Sequence, residues 1–81
     1  MTKGEYRVGI NFNPSGEDLV GHIKRQAADL IDLVDTIPDA LIADEAKYNE
    51  VRRLKALAQT EIENAAMWAV KAATKPAPSQ N

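Results

Sequence analysis

The chain has 81 residues, no cysteine, 10 basic and 12 acidic side chains and a formal net charge of −2, with a pI near 5.3. That length gives one small domain, and a lone two-helix unit of this size would be marginal. The missing cysteines exclude a disulfide framework and a thiolate zinc site, the acidity disfavours duplex DNA as a partner, and no apolar run approaches the roughly 20 residues of a membrane span or forms a signal-peptide core.

A soluble, cytoplasmic protein is the expectation. In residues 1–13, Tyr6, Val8 and Ile10 alternate with Arg7, Gly9 and Asn11, and period-two alternation predicts a short extended N-terminal arm laid over helices or over another subunit. Asn13, Pro14, Ser15, Gly16, Glu17 and Asp18 form a helix-start signal, with Ser15 as the N-cap and Asp18 at the capping-box position. The first predicted helix then runs to about Thr36, and Leu19, Ile23, Ala27, Leu30 with Ile31, and Val34 make its buried stripe. Gly21 is a weak point in that helix, costing up to about 1 kcal/mol relative to Ala, and offers a close approach to another backbone or a ligand.

Ile37-Pro38-Asp39 ends the first helix, because the residue before proline is pushed out of helical space. A helical turn is expected at residues 40–43, and Asp44 is the expected N-cap of the next helix. Residues 48–74 hold neither Gly nor Pro and are rich in strong helix formers. They predict one helix roughly 40 Å long. Val51, Leu54, Ala58, Ile62, Ala65, Ala69 and Ala72 form one apolar stripe in steps of three and four. Arg53, Leu57, Thr60, Asn64, Met67 and Lys71 form a second, opposite stripe. A purely solvated face would not carry Leu57 and Met67 beside Trp68, so the helix is expected to bury one face in its own subunit and part of the other against a neighbour. The Pro-rich tail stops this helix and is expected to be disordered.

The predicted fold class is therefore all-α. It is a helical hairpin with a long second helix and a short extended N-terminal arm, assembling into a helical oligomer. Residues 1–13 form the arm, 14–75 the hairpin and 76–81 the tail.

Catalytic constellations are missing from the sequence, so a non-enzyme without cofactor or metal is expected. Neither a Walker-type nor a dinucleotide-binding glycine loop occurs. His22, four residues after Asp18, is the lone histidine and lacks the partners of a zinc site. Glu61 and Glu63 point to different sides of their helix. The basic clusters are Lys24-Arg25 and Arg52, Arg53 and Lys55. One reading is ordinary helix surface, with Glu50 pairing with Arg53. The other aims Lys24 and Arg53 at an anionic ligand between subunits, with Thr60 and Asn64 adding neutral donors and Tyr6 or Phe12 stacking on a base.

Phe12-Asn13-Pro14-Ser15-Gly16 leading into Ile23-Lys24, then Arg53-Leu54-x-Ala56-Leu57-Ala58-x-Thr60, then Ala66-Met67-Trp68-Ala69-Val70-Lys71-Ala72, resemble the small helical anti-CBASS sponges of bacteriophages. CBASS is the bacterial defence in which infection triggers synthesis of cyclic oligonucleotides that activate a killing effector. The resemblance, over roughly residues 10–76, implies a six-subunit assembly that sequesters cyclic di- and trinucleotides without cleaving them, in the cytoplasm of the infected host. It suggests Lys24 as a phosphate contact and Arg53 as the residue repeated around a cyclic trinucleotide. Tyr6, Phe12 and Asn13 are the candidates for the N-terminal part of a dinucleotide pocket, and Gln26 stands where family members often have threonine. The alternative is a small helical adaptor or antitoxin-like protein that docks a partner protein through the second stripe.

Overall fold

The computed structural model describes residues 1–39 and 44–80, so the helical turn expected at 40–43 lies outside the described residues. Three α-helices follow in order, α1 (Lys3–Val8), α2 (Asp18–Asp35) and α3 (Glu45–Ala73), and then a single 3-10 turn at Pro78–Gln80, within the tail expected to be disordered. The all-α hairpin with a long second arm is as expected. Asp44 is the N-cap of α3 and its carboxylate accepts the Lys47 backbone N–H at 3.1 Å.

The extended N-terminal arm is corrected by the structure: these residues form α1. A helix of six residues is too short to stand alone, and two devices stabilise it. Its ends are capped. Thr2 and Glu5 form a reciprocal capping box, and Gly9 closes the other end in the left-handed conformation (φ 64°), its N–H donating to the last turn. It is also docked. Gly4 lies so close to α2 that a Cβ would stand 2.1 Å from the Ala28 carbonyl oxygen, and the Gly4 N–H donates to Asp32 Oδ1 at 2.7 Å. Lys3 reaches Asp35 at 3.1 Å and Gln59 at 2.8 Å, and Arg25 reaches Glu5 at 2.8 Å.

The start of α2 also differs from expectation. Ser15 does not cap it. The Ser15 hydroxyl donates to Asn13 Oδ1 and accepts the Glu17 N–H, while Asn13 Nδ2 donates to the Glu17 carbonyl. These bonds lock a turn at 13–17, with Gly16 at φ 68°, and α2 begins two residues later than expected, at Asp18, with no side-chain cap.

The core is small and sits one residue round from the predicted stripes. Of the expected stripe Ile31 is buried, and Val20 and Ala28 join it at 2 % exposed or less, whereas the expected Leu19 and Leu30 are 58 % and 46 % exposed. On α3 the innermost positions are Gln59 and Ala66, while Leu54 and Ala65 are exposed. The reason is that the tightest contact line of the hairpin carries small and polar groups that reach backbone partners. Gln59 Nε2 donates to the Ile31 carbonyl at 3.0 Å and to Asp35 at 3.1 Å, and its oxygen accepts from Lys3. This buried amide is fully engaged, as a buried polar group must be. Lys55 donates to the Asp35 and Ile37 carbonyls and to Asp39, closing the C-terminal end of α2. Since Lys55 is level with that end, the first turns of α3 project beyond it. The Cα envelope is accordingly long and thin, 59 × 25 × 13 Å.

Candidate ligand-binding surface

Two flanks of the α2–α3 hairpin differ in character. α1 lies along one of them and places Arg7 against α3: Nε donates to Glu63 Oε1 at 2.7 Å and Nη2 donates to Thr60 Oγ1 at 3.3 Å. Arg7, Val8, Lys24, Glu63, Met67 and Val70 surround a recess of about 230 Å³ there. Lys24 also lines a neighbouring recess of about 240 Å³ with Phe12, Asn13, Pro14, Ser15 and Thr74.

Lys24, expected as a phosphate contact, is buried to 8 % exposure. Its ammonium donates to the Gly9 carbonyl at 3.0 Å and to the Phe12 carbonyl, and it stands 5.4 Å from the Phe12 ring centroid. Two of its three N–H groups therefore hold the 9–12 turn, and the third has no partner among the described residues. Phe12 itself is exposed, and Asn13 sits beside it in the locked turn. Lys24, Phe12 and Asn13 are thus brought together around one recess.

Arg53 stands on the projecting part of α3, exposed, with Nε and Nη2 held by Glu50 Oε1 at 2.7 and 2.6 Å. Thr60 follows two turns along the same side of the helix and is exposed. Tyr6 is exposed on α1 and belongs to neither recess. Gln26 lines a different feature altogether.

That feature is the other flank. Leu19, Ile23, Gln26, Ala27, Leu30 and Leu33 of α2 face Ile62, Ala65 and Ala69 of α3 across an open, largely apolar cleft of about 770 Å³, with His22 and Asp29 at its edge. The predicted apolar stripes of the two helices do meet, but they meet as the walls of a cleft that the described residues leave uncovered. Ala66 borders both this cleft and the Arg7 recess, so it marks the divide between the flanks. No group of three or more metal-ligating side chains occurs among the described residues.

The ionic side is electrostatically biased towards charged carboxylates. The Arg25 guanidinium, aided by the Thr2 backbone N–H, draws the Glu5 pKa down from 4.5 to about 2. Asp35 is lowered as well, first by the Gln59 amide and then by Lys3.

Arg7 and Gln59 were not singled out from sequence. The signal for Arg7 was the Thr2-x-x-Glu5 box and Gly9, which together mark a helix that would carry Arg7 in its last turn. No apolar-periodicity argument finds Gln59, because it is polar.

None of the helices among the described residues is long and apolar enough to cross a membrane. Neither a curated protein nor a solved structure matches the chain. A family model does: residues 4–74 match the model described as Acb2/Tad1, hairpin domain. With that match spanning all three helices, the chain belongs to the Acb2/Tad1 hairpin family, the anti-CBASS sponges.

Proposed function

We propose that the protein binds cyclic oligonucleotide second messengers and holds them without cleavage, so that the host defence effector is not activated. What carries this reading is that a member of a binding-sponge family presents Arg53 and Thr60 on one solvent-open side of α3. A guanidinium fork and a hydroxyl suit phosphoryl oxygens and base edges. Several copies of α3 converging at a symmetry axis would surround a cyclic trinucleotide. Lys24, Phe12 and Asn13 form the candidate dinucleotide site, combining an aromatic face with an ammonium and an amide, and Gln26 and Tyr6 reach it only if a second copy contributes them.

The working form is a homo-oligomer, six subunits in this reading, in the cytoplasm of the infected bacterium. The open apolar cleft supports self-association, since apolar area of this kind gains roughly 25 cal/mol per Å² when covered. The second reading, an adaptor that docks a partner protein through the second stripe, is favoured by the exposure of Leu57, Met67 and Trp68.

Native mass spectrometry of the purified protein with a panel of cyclic di- and trinucleotides tests the proposal. The expected result is an oligomer that gains whole ligands at defined ratios and releases them with unchanged mass. A clean oligomer that takes up no nucleotide would favour the adaptor, and a linearised product would overturn the sponge.

A further inference from the structure

Arg53 and Thr60 carry the nucleotide reading, and the structure sets a second guanidinium beside that hydroxyl. We propose that Arg7, from α1, joins Thr60 as a direct contact for phosphoryl oxygens of the ligand, so that the N-terminal helix completes the binding side of α3. This assignment rests on the cyclic-nucleotide reading above.

The geometry is that of a prepared donor pair. Glu63 holds the Nε edge of Arg7 at 2.7 Å, while Nη2 donates to Thr60 Oγ1 at 3.3 Å. The guanidinium plane is thereby set by two bonds, and its other N–H groups have no partner among the described residues. Because Thr60 accepts from Arg7, its own O–H is free to donate outwards. An anion arriving at exposed Thr60 meets a hydroxyl proton and a charge-assisted N–H together. Arg53 is braced in the same manner by Glu50, at 2.7 and 2.6 Å. Two carboxylate-braced guanidiniums thus serve one side of α3, and neither has to be ordered at the moment of binding.

The bracing carboxylates also shape selectivity. Glu63 and Glu50 offset the charge of each arginine, so a lone inorganic phosphate gains little at either. From Arg53 to Thr60 the helix advances about 10 Å. A ligand that engages both guanidiniums therefore carries more than one phosphate, as a cyclic oligonucleotide does.

The test is calorimetric titration of a 3′,5′-linked cyclic triadenylate into the wild-type oligomer and into Arg7→Ala, Arg7→Lys, Thr60→Val and Arg7→Ala/Thr60→Val. Native mass spectrometry checks each assembly. Arg7→Ala is expected to weaken binding about tenfold or more, as loss of a charge-assisted bond does. Arg7→Lys keeps a cation for Glu63 and so keeps α1 seated, but lacks the fork; it should bind with intermediate affinity. The double variant should lose less than the product of the single losses, and the salt dependence of Kd should flatten in Arg7→Ala. Inorganic phosphate should compete only weakly.

Wild-type affinity in correctly assembled Arg7→Ala and Arg7→Lys would overturn the Arg7 assignment while leaving the nucleotide reading in place. A wild-type oligomer that binds no cyclic nucleotide would overturn both.

Discussion

The two flanks of the hairpin solve the same problem in opposite ways. On the α1 side, a short helix with a glycine at its contact point closes over α2, and ion pairs from Lys3, Arg7 and Arg25 stitch it down. On the cleft side, leucines and alanines of α2 and α3 face each other with none of the other described residues across them. The polar flank is closed by α1; the apolar flank is open among the described residues. The side rich in fixed charges is suited to a small anionic ligand, and the side rich in carbon to another protein surface.

The largest expected effect lies on the open flank. Ala65→Glu places a carboxylate at an exposed position in the cleft wall. The single chain should tolerate it, but a copy packed there would bury an unpaired charge, at a cost of several kcal/mol. Native mass spectrometry should show the oligomer collapsing to smaller species while circular dichroism keeps its helical signal. An unchanged oligomer would mean that the cleft is not where copies meet.

Arg53→Ala acts on the other side. It should abolish cyclic trinucleotide binding in titration calorimetry without altering the assembly, because Arg53 is exposed and bonded only to Glu50 among the described residues. Wild-type affinity in the assembled variant would remove Arg53 from the site.

Gly4→Ala strikes the seam that makes the α1 flank. Its added Cβ meets backbone, the Ala28 carbonyl at 2.1 Å, and backbone can yield only by moving α1. A destabilisation of about 1–3 kcal/mol is expected from such overpacking, read as a lower melting temperature with fast amide exchange in residues 3–8. Exchange along the centre of α3 should change far less.

The smallest effect is that of acid. The folded-state pKa of Glu5 lies at about 2 instead of 4.5, and that of Asp35 is lowered too. Such carboxylates contribute stability fully above their unfolded values, and it is lost as pH falls from about 4.5 towards 2. Melting temperature should decline across that window, and Glu5→Gln should flatten the decline. A decline of equal depth in Glu5→Gln would take this pair out of the account.

Much of the architecture was legible because helix-forming composition and caps are local. The second helix was read at residues 48–74 and found as Glu45–Ala73, with the Asp44 cap as expected. α1 was missed because Tyr6, Val8 and Ile10 alternate like a strand, and a six-residue helix has too few positions to show its own period. The stripes were read correctly as apolar, but periodicity reports which face is richest in carbon and not which face the chain itself covers. Here the inner line of contact includes the small Ala66 and the polar Gln59 and Lys24, which make sense only once their backbone partners are in place. For the site, Lys24 and Phe12 were candidates through their chemistry and the family resemblance, and periodicity alone does not group them. Arg7 could not be joined to Thr60 without knowing that α1 exists.

The thin envelope, 13 Å across at its narrowest, has a consequence for how this protein lasts. Two helices pack with axes about 8–10 Å apart, so there is room for little more than one such layer, and the chain has almost no interior of its own. A slab of that kind acquires an inside only by being stacked. In the oligomer proposed above, resistance to heat and to proteases would be a property of how many copies are present, rising with total protein concentration in the way mass action requires.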